Sequence, residues 1–227
     1  LPAAIGAITA GFTLALAPHG VIGIAILLVA ARPLLHVLLD RRREGGLLPL
    51  AAPIAAAGVL VLVVVFRDQT LATVLEAMKL RYQVGPVISW HQEFLRYYFI
   101  SVTTDDGALT RRVPLLLLFA GIIVAAAVML RRTRISGVDP APAWRLIGAV
   151  GVTLLLFIFT PTKWTIQFGV FAGLAGAIAA IATIAVAQAG ARSARNLTVF
   201  VSGLFFALAA AMAGKNAWPF VYEYGVS

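Results

Sequence analysis

VPLLLLFAGIIVAAAVML, residues 113–130, holds no charged side chain and no side-chain hydrogen-bonding group. Such a run approaches the roughly 20 apolar residues that cross a hydrocarbon core about 30 Å thick. Inside that core every backbone N–H and C=O has to be satisfied within the segment, which a lone strand cannot do, so the run predicts a helix. Moving outward, Leu47–Phe66 and Leu197–Ala213 read the same way. Of the 227 residues 61% are hydrophobic and 12% charged, with a mean hydropathy of +0.97, whereas a soluble domain carries about 25% charge. The sequence therefore predicts an all-α integral membrane protein with about seven transmembrane helices, near residues 1–17, 21–39, 47–66, 113–130, 144–160, 165–190 and 197–213. Leu1 already lies inside an apolar run, with no basic stretch or cleavage site before it. The chain thus reads as an interior piece, not as one that starts with a signal peptide.

The loop charges give the topology. Asp40-Arg41-Arg42-Arg43-Glu44, Arg131-Arg132-Thr133-Arg134 with Arg145, and Arg192 with Arg195 fall on one side, which the positive-inside bias makes cytoplasmic. The other side carries Pro18-His19-Gly20, residues 67–112, the turn Thr160-Pro161-Thr162-Lys163-Trp164 and the tail Gly214–Ser227. The domains are then 1–66 with three spans, 67–112 as an extracytoplasmic amphipathic loop, 113–213 with four spans, and 214–227 as a tail leading to a C-terminal domain. The net charge of +9 has this topological meaning, so nucleic-acid binding is not expected. Zero cysteines exclude disulfides and thiolate metal sites. Trp90, Trp164 and Trp218 sit toward the outer side and Trp144 opens a span at the inner side, as belt anchors do. Gly169, Gly173, Gly176 and Ala179 have the small-residue spacing that permits close helix packing in lipid.

The outer loop holds most of the candidate chemistry. Leu71, Val74, Leu75, Met78 and Tyr82 recur at helical spacing, with Thr73, Glu76 and Lys79 largely opposite. This predicts a surface-lying amphipathic helix capped by Asp68 and stopped by a left-handed Gly85 before Pro86. Ser89 with Gln92 has capping-box spacing and predicts a second helix from Trp90 to about Phe99. Trp90, Phe94 and Tyr97 share one face of it, while Glu93 and Arg96 are spaced to pair. His91, in its first turn, reads either as a solvated belt histidine or as a site residue. Asp105-Asp106-Gly107 has the form of a carboxylate pair, but Asp-Gly between polar residues is first a turn signal. Lys163, set between two threonines and Trp164 in a very short turn, suits either an anionic headgroup or simple snorkelling.

The strings Arg67-Asp68-Gln69-Thr70-Leu71-Ala72, Val84-Gly85-Pro86 followed by Trp90, Glu93-Phe94-Leu95-Arg96-Tyr97-Tyr98, Asp106-Gly107 to Arg111-Arg112, Thr160-Pro161-Thr162-Lys163-Trp164, Phe168 to Leu174 and Trp218 to Val226 occur in that order. Together they resemble the mycobacterial Emb arabinosyltransferases, the ethambutol target family, and Ile166-Gln167 leans toward the A paralogue. The resemblance implies an inverting glycosyltransferase of the GT-C class in the plasma membrane. It would transfer arabinose from decaprenyl-phosphoryl arabinose to cell-wall arabinan on the outer face, with a paralogous Emb subunit as partner. It also implies that the catalytic acidic pair lies upstream of this region, so no residue here is assigned that role and Asp105 and Asp106 are not substitutes for it. No cofactor is implied for these residues; a divalent cation is a question for the complete enzyme. The implied substrate-binding residues are Trp90 and His91, with Glu93 beside them, for the sugar, and Arg96 and Lys163, with Trp164, for the donor phosphate.

Two other readings share the spans. A transporter or flippase would carry ionisable groups near mid-membrane, yet only Arg32 and His36 interrupt the expected spans, near the inner end of the second. A non-catalytic scaffold subunit of a membrane glycosyltransferase complex would differ by lacking the acidic pair.

Overall fold

Proline 33 decides the first departure from a simple set of spans. It has no N–H to give the Val29 carbonyl, and its ring crowds that carbonyl. Ala30 accordingly leaves the helix, at φ −89° and ψ 1°. The expected second span divides there into α2 (Ile22–Val29) and α3 (Ala31–Gly45), bent by 62°. The computed structural model describes residues 2–16, 18–85, 87–102, 112–132, 134–191 and 193–213. Besides α2 and α3 these form α1 (Pro2–Leu16), α4 (Leu48–Val65), α5 (Leu71–Val84), α6 (Phe94–Ser101), α7 (Val113–Arg132), α8 (Pro140–Leu156), α9 (Ala172–Gly190) and α10 (Ala194–Met212). Short 3-10 segments lie at Pro18–Val21, Trp90–Gln92, Phe157–Phe159 and Thr165–Phe171.

The all-α membrane architecture read from the sequence is the one observed. Val113–Arg131, Pro140–Phe159, Thr165–Gln188 and Ala194–Met212 are each long and apolar enough to cross a membrane, and the bent pair makes a fifth span if counted as one. Pro2–Leu16 and Ala51–Val65, where the first and third spans are expected, are shorter apolar helices.

The chain divides into two compact units. The first comprises Leu1–Glu93 and Ala149–Thr162, the second Phe94–Gly148 and Lys163–Ser227. In the first unit α1 packs on α4 and on α2. Close approach explains its glycines: a Cβ on Gly20 would stand 2.1 Å from the Thr13 carbonyl oxygen, and one on Gly11 3.1 Å from Val61 Cγ2. In the second unit α7 packs on α9, and α10 on both. Ala125, Met129, Ile135, Ala143 and Ala185 form a buried cluster there. The glycine at that helix contact is Gly121 of α7, whose Cβ would stand 3.3 Å from Ile178. Gly169, Gly173 and Gly176, where the sequence places the close packing, would carry a Cβ with nothing within 4 Å.

Two caps also differ from expectation. The N-cap of α5 is Thr70, not Asp68: Thr70 and Thr73 form a reciprocal box, with Thr70 Oγ1 accepting from the Thr73 N–H and Thr73 Oγ1 from the Thr70 N–H at 3.1 Å. Asp68 lies 3.9 Å from Arg67 on the surface. Gly85 does stop α5, but in extended conformation at φ −84°. Glycine is needed because a Cβ would stand 2.6 Å from the Arg81 carbonyl oxygen.

Replacing Gly20 by Ala forces backbone to move and should cost about 2 kcal/mol, seen as a lower thermal midpoint of the purified protein. Gly176→Ala should leave the midpoint where it is. A Gly20→Ala protein that melts with the wild type would contradict the close approach.

Candidate functional site

In the second unit the site is built from α6. Its eight residues place Arg96 and Ile100 four apart, hence on one helix face, and both are buried. Phe94, Tyr97 and Tyr98 are exposed. Arg96 is 0% exposed, and a cation in such a place persists only where dipoles and rings replace water. Its Nη1 donates to the Trp164 carbonyl at 3.2 Å and to Gln167 Oε1. Its guanidinium carbon lies 5.9 Å from the centre of the Phe168 ring, within cation–π range. Phe168 in turn meets Tyr97 and Phe119 edge-on, at 5.9 Å and 5.8 Å between ring centres. Arg96, spaced to pair with Glu93 and expected from the resemblance to hold the donor phosphate, is thus an interior post. It holds the 3-10 segment Thr165–Phe171, whose Gln167, Phe168 and Phe171 are buried.

The first residue before α7 is the second cation. Arg112 is 7% exposed and its Nη1 donates to the carbonyls of Phe99 and Val102. These lie at the end of α6, where helix geometry leaves carbonyls without intrahelical partners and favours positive charge. Arg112 therefore ties the end of α6 to the start of α7. Between α7 and the segment Thr165–Phe171 lies a cavity of about 360 Å³. Arg112 and Thr165 line it where their elements begin, and Leu115, Leu118, Phe168 and Phe171 line it further along. A cation and a hydroxyl followed by a hydrocarbon wall make an amphiphile's negative image.

In the first unit, Trp90–Gln92 form a single 3-10 turn, not the start of a longer helix, and the Ser89 side chain makes no cap bond. The Gln92 N–H is instead satisfied by the Ser89 carbonyl at 3.0 Å. Trp90 is 68% exposed and stands edge-on to His91, with ring centres 5.8 Å apart. His91 is exposed and Glu93 half-buried. The extended strand of chain before this turn is fixed to the Thr160–Thr162 turn, because the Ile88 N–H donates to the Pro161 carbonyl at 2.9 Å. Thr160 Oγ1 lies 2.7 Å from the Phe157 carbonyl and 3.0 Å from that of Thr162, which braces the same turn from within. Lys163, which opens the second segment of the second unit, is fully buried, and Trp164 after it is exposed.

Of the residues expected to bind substrate, the structure brings together Trp90 with His91, and Arg96 with Trp164. Asp105, Asp106 and Trp218 lie outside the described residues. The sequence reading did not single out Arg112 or Gln167 for substrate binding. Arg112 had a signal, since an arginine directly before an apolar run on the outer side runs against the charge bias. Gln167, a lone amide at the start of an apolar span, had a weaker one.

Comparison with known proteins bears on both units. The family model described as "Mycobacterial cell wall arabinan synthesis protein" matches residues 1–227. The chain is 49% identical over 226 residues to "Probable arabinosyltransferase A" of Mycobacterium tuberculosis (strain ATCC 25618 / H37Rv), covering 99% of this chain and 21% of that protein. It is 46% identical over 224 residues to "Probable arabinosyltransferase B" of Mycolicibacterium smegmatis, with the same coverage. Among solved structures, the cryo-EM structure of arabinosyltransferase EmbB from Mycobacterium smegmatis matches with a TM-score of 0.68 and 40% identity, over 95% of this chain and 18% of that one. The chain thus spans about a fifth of the length of these relatives. With the match running from the first residue to the last, the chain belongs to the mycobacterial cell wall arabinan synthesis protein family.

Proposed function

We propose that the chain is part of a membrane arabinofuranosyltransferase of the GT-C class that moves arabinose, with inversion, from decaprenyl-phosphoryl arabinose to cell-wall arabinan. The observation that carries the reading is the groove between α7 and the segment Thr165–Phe171. A polyprenyl phosphate has one anionic head and one hydrocarbon chain, and this groove offers Arg112 and Thr165 to the first and Leu115, Leu118, Phe168 and Phe171 to the second. The names of the relatives, which are arabinosyltransferases, point the same way. The reading also takes residues 67–112 to face outward from the plasma membrane and the complete protein to work beside a paralogous subunit.

The chemistry has two halves. A carboxylate takes the proton of the acceptor hydroxyl as the phosphate leaves the anomeric carbon, and that base belongs to the acidic pair elsewhere in the protein. The residues here serve the leaving group, whose negative charge grows as the glycosidic bond breaks. Arg112 holds the donor phosphate, and Lys163 supplies a second positive charge in a setting that excludes water. Arg96 acts through others: it keeps Thr165–Phe171 in place and so keeps the groove's wall. In the first unit, Trp90 presents a stacking face to a sugar and His91 a hydrogen-bonding edge beside it.

Arg112→Gln should raise KM for the lipid donor about tenfold or more, the equivalent of one charged hydrogen bond, with a smaller change in kcat. An unchanged donor KM in a folded protein would remove Arg112 from the site. Lys163→Ala should lower the arabinosyl transfer rate of the complete protein more than it lowers its melting temperature; normal transfer in normally folded protein refutes the role. Arg96→Lys keeps the charge but replaces the planar guanidinium, whose Nη1 reaches both Trp164 and Gln167 and whose plane lies by Phe168, with an ammonium on a shorter stem. It should therefore destabilise the fold by about 2 kcal/mol and raise donor KM with it, whereas wild-type behaviour in both would show that the post is not needed.

A further inference from the structure

Gly169, Gly173 and Gly176 have the spacing of a helix contact and make none, since a Cβ on any of them would have nothing within 4 Å. None of the three has a positive φ. Neither packing nor backbone conformation requires them, and their places differ in one respect. Gly169 lines the cavity beside α7, whereas Gly173 and Gly176 are not among its lining residues. Gly169 belongs to the seven-residue 3-10 segment Thr165–Phe171, long for a winding that usually runs three or four residues. Side chains three apart in a 3-10 helix eclipse one another, so the segment presents three straight rows. Thr165, Phe168 and Phe171 form the first; Ile166 and Gly169, continued by Ala172, form the second; Gln167 and Val170 form the third. The cavity is lined by the first two rows and by neither residue of the third, whose Gln167 accepts from Arg96 instead. Ordinary α-helical winding would turn each row by about 60° per step and carry it out of the groove.

We infer that Gly169 is a specificity-determining residue for the lipid chain of the donor, a role that rests on the donor reading of this groove. Its missing side chain leaves a trough, bounded by Ile166 and Ala172, that takes the methyl branches of a prenyl chain while the rings of Phe168 and Phe171 lie along the stem. A prenyl chain bears one methyl per isoprene unit of four chain bonds, about 5 Å when each bond advances as in an extended backbone. Along the trough the step from Gly169 to Ala172 is three residues, about 6 Å at the 3-10 rise. The two repeats agree within the freedom of a flexible chain, so successive branches meet successive small residues. A straight alkyl chain has no branch to place there, leaves that volume empty and forfeits the contacts on that side. The phosphate rests at the other end of the groove, at Arg112 and Thr165. Width at Gly169 and charge at Arg112 can therefore be changed separately.

The test compares a prenyl-phosphoryl arabinose with a straight-chain alkyl-phosphoryl arabinose of equal chain length as donors for the complete protein. The wild type should show a KM for the prenyl donor about fivefold below that for the alkyl donor, the worth of one or two buried methyl groups. Gly169→Leu should fill the trough, raise the prenyl KM about tenfold and remove the preference, with Gly169→Ala in between. Because a Cβ at Gly169 meets nothing within 4 Å, both variants should melt with the wild type. Gly173→Leu, outside the cavity lining, should keep the preference in full. Arg112→Gln should raise KM for both donors alike. A Gly169→Leu protein that keeps the preference, while Arg112→Gln raises both constants, overturns the role of Gly169 and leaves the donor reading standing. Unchanged constants in both variants take the groove out of donor binding and overturn the two together. A wild type that does not distinguish the donors, or a preference lost equally in Gly173→Leu, also overturns the role of Gly169.

Discussion

A guanidinium that has no route to water organises the second unit. Arg96 sits with 0% exposure among apolar helices, and the desolvation of an unsatisfied charge there would exceed anything one hydrogen bond returns. The Trp164 carbonyl, the Gln167 amide oxygen and the Phe168 ring replace the lost solvent. Each of these partners lies at or within one short 3-10 segment or directly before it. Satisfying the charge and fixing that segment are therefore one event. Because Phe168 and Phe171 of the segment line the groove, the buried cation also holds one of the groove's walls.

Arg112 completes the arrangement from the other side. It closes the carbonyl end of α6 against the start of α7, so the helix that carries Arg96 is held at both its buried face and its terminus. One arginine shapes the wall and the other stands at the cavity's polar end. The division explains why two cations so close in sequence to the same short helix have different parts.

Much of this was legible beforehand. Charge-free runs such as Val113–Leu130 leave no alternative to membrane helices, and the amphipathic stretch Leu71–Val84 forms a helix where its spacing predicts one. The residues that misled did so for identifiable reasons. Asp68 and Ser89 are good caps in isolation, but Thr70 with Thr73 offers a reciprocal box, and backbone turns serve Trp90–Gln92. The glycines of α9 have the right spacing for close packing, yet the contact with α7 is made at Gly121, because Ile178 and not a glycine faces it. Pro33 lies inside the span expected near 21–39, and the break there follows from its missing N–H, which the hydropathy of the run does not register. Arg96 was the hardest to read: spacing offers it Glu93, and nothing local announces the further partners it has at Trp164 and Gln167.

Where a lipid-linked phosphate rests decides whether the groove beside Arg112 is a donor site. A cryo-EM map of the complete protein with a non-transferable polyprenyl-phosphoryl arabinose analogue measures this directly. Phosphate density against Arg112, with the first isoprene units along Leu115, Phe168 and Phe171, is the predicted result. A well-ordered analogue bound elsewhere, with this groove empty or filled by side chains, would contradict it.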